Sequence, residues 1–113
     1  MHDVTLVVPV YKLYSYRLRN FKNMIQRVLK LKCNVVVGEQ LTDTQSSGLT
    51  MLNKLDVTHE VINFEGDKFC KSYLLNKLTD LVETEYIWFM DCDYIFDMHE
   101  TIHEYNKYDF YQR

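Results

Sequence analysis

The sequence predicts an α/β domain built on a parallel sheet, and three observations support this. Stretches rich in β-branched residues alternate with stretches of helical periodicity, in the order β-α-β-α-β-α-β. Residues 86–90 are five bulky apolar residues in a row, as in a strand that is buried on both faces. That strand stops at Asp91, and a second carboxylate follows at Asp93. Acidic residues at such a strand end lie where open α/β sheets bind ligands.

Length and composition indicate one domain covering residues 1–113. Hydrophobic residues make up 47% of the chain and charged residues 26%, and the single proline argues against disorder. The net charge of −3 provides no basic stripe for nucleic acid. The apolar run at residues 4–10 is too short for a transmembrane segment. The three cysteines lack metal-type spacing, so we expect reduced thiols in a cytoplasmic protein.

The first part of the chain predicts a strand, a helix and a second strand. Residues 4–8 are mostly β-branched and form the first strand. Apolar residues then recur at helical spacing from Arg17 to Lys32, which predicts an amphipathic helix. Residues 34–39 contain three consecutive valines and predict a second buried strand that ends in a carboxylate.

The second part predicts two strands and a strong helix. Three leucines at helical spacing indicate a short helix near residues 49–55. Residues 57–64 alternate between apolar and polar types, as in a strand near a sheet edge. Residues 69–83 carry an apolar face and predict the second main helix, which the buried strand 86–90 follows. The tail from residue 98 is expected to begin as a helix.

We predict a Rossmann-like sheet with strand order 3-2-1-4, because this order creates a switch point between strands 1 and 4. The crevice there would bring Tyr11 beside Asp91 and Asp93, with Glu39 on the same rim. Strand 4 would lie at an uncovered sheet edge. We therefore expect self-association through that edge, unless residues 101–113 fold over it.

The side chains at these strand ends are of the types that hold a metal and a nucleotide diphosphate. Asp91 and Asp93 provide the oxygen ligands that Mn²⁺ or Mg²⁺ bind, and such an ion would neutralise charge on a departing diphosphate. Either carboxylate is alternatively a partner for a ribose hydroxyl. Lys71 lies in the first turn of the second helix, whose N-terminus also favours a diphosphate. Tyr11 is a candidate for stacking on the base, and Glu39 for hydrogen bonding to the base or ribose.

These residues resemble the GT-A glycosyltransferases. As in family 2 enzymes, Pro9-Val10-Tyr11 follows the first strand, an acidic residue ends the second, and an Asp-x-Asp motif, Asp91-Cys92-Asp93, ends the fourth. The segment Phe69–Asn76 is similar to the Phe-Asn-Arg-Ala-Lys-Leu-Leu-Asn segment of the β-1,4-galactosyltransferases, with Lys71 in place of the arginine. Glu39-Gln40 is similar to the Glu-Gln that ends the second strand of that group.

The resemblance implies a GT-A fold, a nucleotide-diphosphate sugar donor (often a UDP-sugar), Mn²⁺ or Mg²⁺, and transfer to a glycan, protein or lipid acceptor. It implies that Asp91 and Asp93 bind the metal. It also implies a nucleotide-sugar site, made of Pro9, Val10, Tyr11, Glu39, Lys71 and Asp91. The resemblance covers about the first half of the usual domain, so it implies a truncated or minimal version of that domain. The catalytic base is not identified, and Asp97 and His99 are candidates for it.

Two other functions stay open from the sequence. His99-Glu100-Thr101-Ile102-His103 matches the H-E-x-x-H pattern of zinc metalloproteases, but apart from Glu104 or Asp109 no well-spaced third ligand follows it. The chain is alternatively a non-catalytic module that binds a nucleotide or a partner. Neither glycine-rich phosphate motif, G-x-G-x-x-G or G-x-x-x-x-G-K-[ST], occurs, which argues against a dinucleotide-binding domain and a P-loop kinase.

Overall fold

The computed structural model describes residues 3–13, 15–41, 49–63, 68–92 and 111–112. Its elements alternate between strands and helices along the chain, as predicted. They are β1 (Val4–Tyr11), α1 (Ser15–Leu29), β2 (Asn34–Leu41), a 3₁₀ helix (Thr50–Lys54), β3 (Thr58–Asn63), α2 (Lys71–Thr79), β4 (Tyr86–Phe89) and β5 (Tyr111–Gln112). Among the described residues, no helix has the length and apolar character that crossing a membrane requires.

The sheet has the order β3-β2-β1-β4-β5. Strands β1 to β4 are mutually parallel, so the predicted order 3-2-1-4 is confirmed. The alternating strand β3 lies at one edge, as its pattern indicated. At the carboxyl ends, Pro9 pairs with Gly38 and Tyr11 pairs with Gln40. This register fixes which side chains of the neighbouring strands share a face of the sheet.

β5 was not predicted, and it changes the edge next to β4. Its two residues pair antiparallel with β4, Gln112 opposite Tyr86 and Tyr111 opposite Ile87. Residues 111–112 therefore cover the first half of that edge. Such a cover is the condition under which self-association through β4 was not expected. The expected helix from residue 98 lies outside the described residues.

The sheet is buried between two layers. Even-numbered β1 residues from Val4 to Val10 pack in the larger cluster with α1, whereas Val7 packs with α2 and Ile87 on the opposite face. Alternate side chains of a strand point to opposite faces, so a central strand with both faces covered reads as continuously apolar. Position Val7 and its neighbours are fully buried for that reason.

Both main helices are shorter than their apolar patterns predicted. α1 stops at Leu29, and turns carry the chain to Lys32, whose positive φ of 57° ends the helical path. α2 begins at Lys71, two residues later than predicted. After Thr79 the chain continues in turns to the buried Val82.

α2 lies very close to β2, and Gly38 makes this possible. A Cβ atom at Gly38 would lie only 2.7 Å from Cγ of the fully buried Leu78. Because the helix rests directly on the strand, the position of β2 sets the position of α2 and of the residues at its first turn.

All three cysteines are free. Cys33 and Cys92 pack in the hydrophobic core, as expected for packing residues, and Cys70 is half-buried. Burial raises the pKa of the Cys33 thiol, because the thiolate is poorly solvated there.

Candidate functional site

A crevice opens at the carboxyl ends of β1 and β4, at the predicted switch point. Its volume is about 320 Å³. It is lined by Pro9 of β1, by Lys71 and Leu75 of the helix α2, by Trp88 and Phe89 of β4, and by Met90 and Asp91 directly after β4. An open α/β sheet binds ligands at such a place, because helix termini and strand ends converge there. Three of the residues predicted for the nucleotide site, Pro9, Lys71 and Asp91, thus line one crevice.

Asp91 follows β4 directly, and its position depends on the pairing of that strand. The Met90 amide donates to the Val7 carbonyl at 3.0 Å, which continues the pairing one residue beyond β4. Met90 and Cys92 are buried on the α1 face, so Asp91 between them is directed to the α2 face. On the α1 side, the Arg17 guanidinium lies 3.5 Å from Sγ of Cys92, which braces the turn.

Lys71 and Asp91 form an ion pair in this crevice. The ammonium nitrogen of Lys71 lies 3.0 Å from Oδ1 of Asp91. The side chains are 50% and 68% exposed, respectively, so water and salt screen the pair. An exposed ion pair stabilises a fold by about 0–1 kcal/mol. Breaking this ion pair to bind a ligand therefore costs little free energy.

An aromatic pair lies at the end of β1. The Tyr11 ring stacks on the Phe69 ring with centroids 5.5 Å apart and an interplanar angle of 9°. The ammonium of Lys12 lies 5.2 Å from the Tyr11 centroid. Phe69 is 40% exposed. The pair forms an aromatic surface on the same face of the sheet as Asp91. Pro9 lines the crevice together with Asp91, and Tyr11, two residues after Pro9 on β1, points to the same face.

Gln40 ties β2 to the start of α2. Its side chain is buried, and its Nε2 donates to the Lys68 carbonyl at 2.9 Å. Its Oε1 accepts from the Cys70 amide at 3.0 Å. Neither Gln40 nor Phe69 was predicted as a site residue. Both stand in the segments that resemble those of the β-1,4-galactosyltransferases, and that position was the signal for them.

Glu39 lies on the other face of the sheet. It pairs in register with Val10, which packs in the α1 cluster, and its Oε1 lies 3.1 Å from Nε2 of His59 on β3. Both side chains are about nine-tenths buried. The structure therefore does not bring Glu39 and Val10 to the Asp91 crevice. Their contacts with a nucleotide stay predictions that concern the α1 side of the rim.

The remaining predicted residues lie outside the described part of the chain. These are Asp93, the base candidates Asp97 and His99, and the H-E-x-x-H segment up to His103. Within the described ranges, no group of three or more His, Cys, Asp or Glu side chains is placed to hold a metal ion. Asp91 is thus the one predicted metal ligand whose position is described, and its exposed carboxylate suits a hard divalent cation.

No protein-family model matches the chain, and no curated protein matches its sequence. Solved structures do resemble it. S. aureus TarS 1–349 superposes with a TM-score of 0.67 at 17% identity, over 93% of this chain and 31% of that one. A structure of S. aureus TarS gives 0.63 at 18% identity, over 93% and 20%.

A third structure, S. aureus TarS 1–349 in complex with UDP-GlcNAc, gives a TM-score of 0.63 at 18% identity, over 93% of this chain and 30% of that one. The chain thus spans about a third, or less, of the structures it resembles. At these identities the likeness concerns the fold alone: the α/β sheet described above is shared with these structures.

Proposed function

We propose that this chain is a glycosyltransferase, or its donor-binding half, which binds a nucleotide-diphosphate sugar through a divalent metal at Asp91 and Asp93. The observation that carries the proposal is the crevice at the switch point, where the Lys71 ammonium and the Asp91 carboxylate meet. The fold supports it, since one structure with the same fold is a complex with UDP-GlcNAc. A UDP-sugar is therefore the first donor to test.

The residues present suit a divalent cation. Asp91 is an exposed oxygen ligand in the crevice, and Asp93 stands two positions later. Mn²⁺ and Mg²⁺ bind such carboxylates while the phosphates of the ligand complete the coordination. When bound, the ion would stabilise the negative charge that develops on the departing diphosphate.

Lys71 supplies a second positive charge. Its ammonium lies 3.0 Å from Asp91. If a cation were bound by the carboxylate, the ammonium would be available to a phosphate oxygen of the same ligand. Its place in the first turn of α2 adds the partial positive charge of a helix N-terminus. The ion pair therefore keeps Lys71 close to where a diphosphate would bind.

The base would lie against the aromatic surface of Tyr11 and Phe69. Phe69 is the more accessible of the two rings for stacking, because the Tyr11 ring already has Phe69 on one face and Lys12 nearby. An aromatic ring stacks on any base, so this surface gives affinity without selecting the nucleotide.

Titration calorimetry with UDP in Mn²⁺ and in EDTA tests the proposal. We expect binding that requires the metal and that weakens at least about tenfold in Asp91→Asn, which loses a charged ligand. Asp93→Ala is expected to behave likewise. Asp80→Asn is the matched control, because Asp80 is exposed at the other end of α2 and its change should leave UDP binding intact.

UDP binding that is equal with and without metal, or that survives both site variants, would contradict the metal site. Zinc binding that persists in Asp93→Ala but is lost in His99→Ala would instead support a metalloprotease. Metal-dependent binding of a UDP-sugar without hydrolysis or transfer would indicate the non-catalytic module.

A further inference from the structure

Gln40 is a buried polar side chain whose amide nitrogen and amide oxygen both bond to one segment. It is 2% exposed at the carboxyl end of β2. Its amide nitrogen donates to the Lys68 carbonyl and its amide oxygen accepts from the Cys70 amide, at 2.9 and 3.0 Å. The two bonds join β2 to residues about thirty positions further along the chain.

These bonds fix the backbone immediately before α2. Cys70 is the N-cap residue of the helix and makes no side-chain capping bond. The Gln40 oxygen accepts from the Cys70 amide, which is one of the N–H groups that a helix leaves unpaired at its start. The Cys70 carbonyl then accepts from Leu74 to start the helix. The start of α2 is therefore set from the sheet, through one side chain.

Both functional groups on this face depend on that anchor. Phe69 lies between the two anchored residues and stacks on Tyr11, which is the register partner of Gln40 on β1. Lys71 follows the anchored Cys70 directly and reaches Asp91. A displacement of residues 68–70 would move the aromatic ring and the ammonium together.

We propose that Gln40 is a positioning residue of the donor site, holding Phe69 and Lys71 where a nucleotide diphosphate would meet them. This inference rests on the proposed function. Its loss is expected to weaken nucleotide binding without weakening metal binding, because Asp91 follows β4, which β1 separates from the β2 strand of Gln40. A preorganised site avoids the cost of ordering these two side chains upon binding.

Gln40→Met tests this, because methionine fills a similar volume and forms neither bond. The first measurement is hydrogen exchange of the Cys70 amide, which is expected to lose protection. The second is calorimetry, in which the affinity for UDP in Mn²⁺ is expected to fall about tenfold, while the affinity for Mn²⁺ alone does not fall. Gln26→Met, on the exposed face of α1, is the matched control and should change neither.

Gln40→Glu keeps the acceptor for the Cys70 amide and loses the donor to Lys68. It is expected to retain part of the Cys70 protection and part of the UDP affinity, and it also replaces the methionine variant if that chain does not fold. Unchanged UDP affinity despite lost Cys70 protection would overturn the inference. So would a parallel fall in Mn²⁺ affinity, which marks a general disturbance. A wild-type chain that binds Mn²⁺ but no UDP would overturn the proposed function itself, whatever the exchange data show.

Discussion

Replacing Lys71 by methionine is expected to change metal binding and nucleotide binding in opposite directions. The ammonium lies 3.0 Å from the Asp91 carboxylate, with both side chains half or more exposed, and it would compete with a cation for that carboxylate. Exposed pairs of this kind are worth about 0.2–1 kcal/mol. Without the competing ammonium, Mn²⁺ alone should therefore bind about 1.4- to 5-fold more tightly.

Nucleotide binding should weaken in the same variant. In the proposed complex the ammonium donates to a phosphate oxygen, and a hydrogen bond to a charged group contributes about 1.5–3 kcal/mol. Its loss corresponds to a UDP affinity about 10- to 160-fold lower at saturating Mn²⁺. The opposite signs are informative, because a variant that is merely destabilised would weaken both.

Calorimetry measures the two affinities separately, first for Mn²⁺ alone and then for UDP at saturating Mn²⁺. Lys71→Arg retains the positive charge and should lie between the wild type and Lys71→Met. Lys77→Met, later on the exposed surface of α2, is the matched control and should change neither affinity. The reasoning is refuted if Lys71→Met leaves UDP affinity unchanged, or if it weakens Mn²⁺ binding.

Three further predictions concern the fold. Gly38→Ala brings a Cβ atom into Leu78 and should lower the free energy of unfolding by about 1–3 kcal/mol in urea titrations, with Leu78→Ala in the same chain relieving part of the clash; an unchanged midpoint would contradict the close packing of α2 on β2. Burial raises the pKa of Cys33, so its alkylation in the folded chain should begin at higher pH than in urea. Because the folded pKa is the higher one, the neutral thiol's contribution to stability is complete below the ordinary thiol pKa and is lost as pH rises through the folded value; urea titrations of wild type and Cys33→Ala from neutral to alkaline pH should converge accordingly, and a constant difference would argue against it. Ending the chain at residue 110 removes β5 and should promote self-association through β4, whereas a monodisperse monomer by light scattering would show that this edge needs no cover.

Hydrophobic pattern was sufficient to predict the four parallel strands, and the rule that ligands bind at a switch point supplied their order. The continuous apolar run of β1 is buried, and the alternating strand β3 lies at an edge, as predicted. Full burial of strand 86–90 was a wrong prediction: of the four β4 residues only Ile87 is buried, because β4 lies next to the short strand at the edge of the sheet. Pattern did not locate the helix ends. α1 ends at Leu29, and the left-handed conformation of Lys32 ends the turns that follow it. Lysine rarely adopts this conformation, so the sequence did not predict it. β5 contains only two residues, too few to show any period.

The face to which each site residue points required the register between strands. Tyr11 and Glu39 both end buried strands, so the sequence indicated one rim for both. Their alignment places Tyr11 opposite Gln40, one position later, and this sends Glu39 to the other face. The bonds of Gln40 to residues 68–70 are likewise tertiary contacts, which no local pattern encodes.

The adjacent residues Glu39 and Gln40 each find a different partner on opposite sides of β2. The carboxylate meets the His59 ring, and the amide meets a carbonyl and an N–H group. If β2 slipped by one residue, a carboxylate that cannot donate would face the Lys68 carbonyl, and both polar groups would lose their partners in a buried setting. This dipeptide therefore also favours the observed register of β2, because a shift by one residue would leave both side chains without these partners.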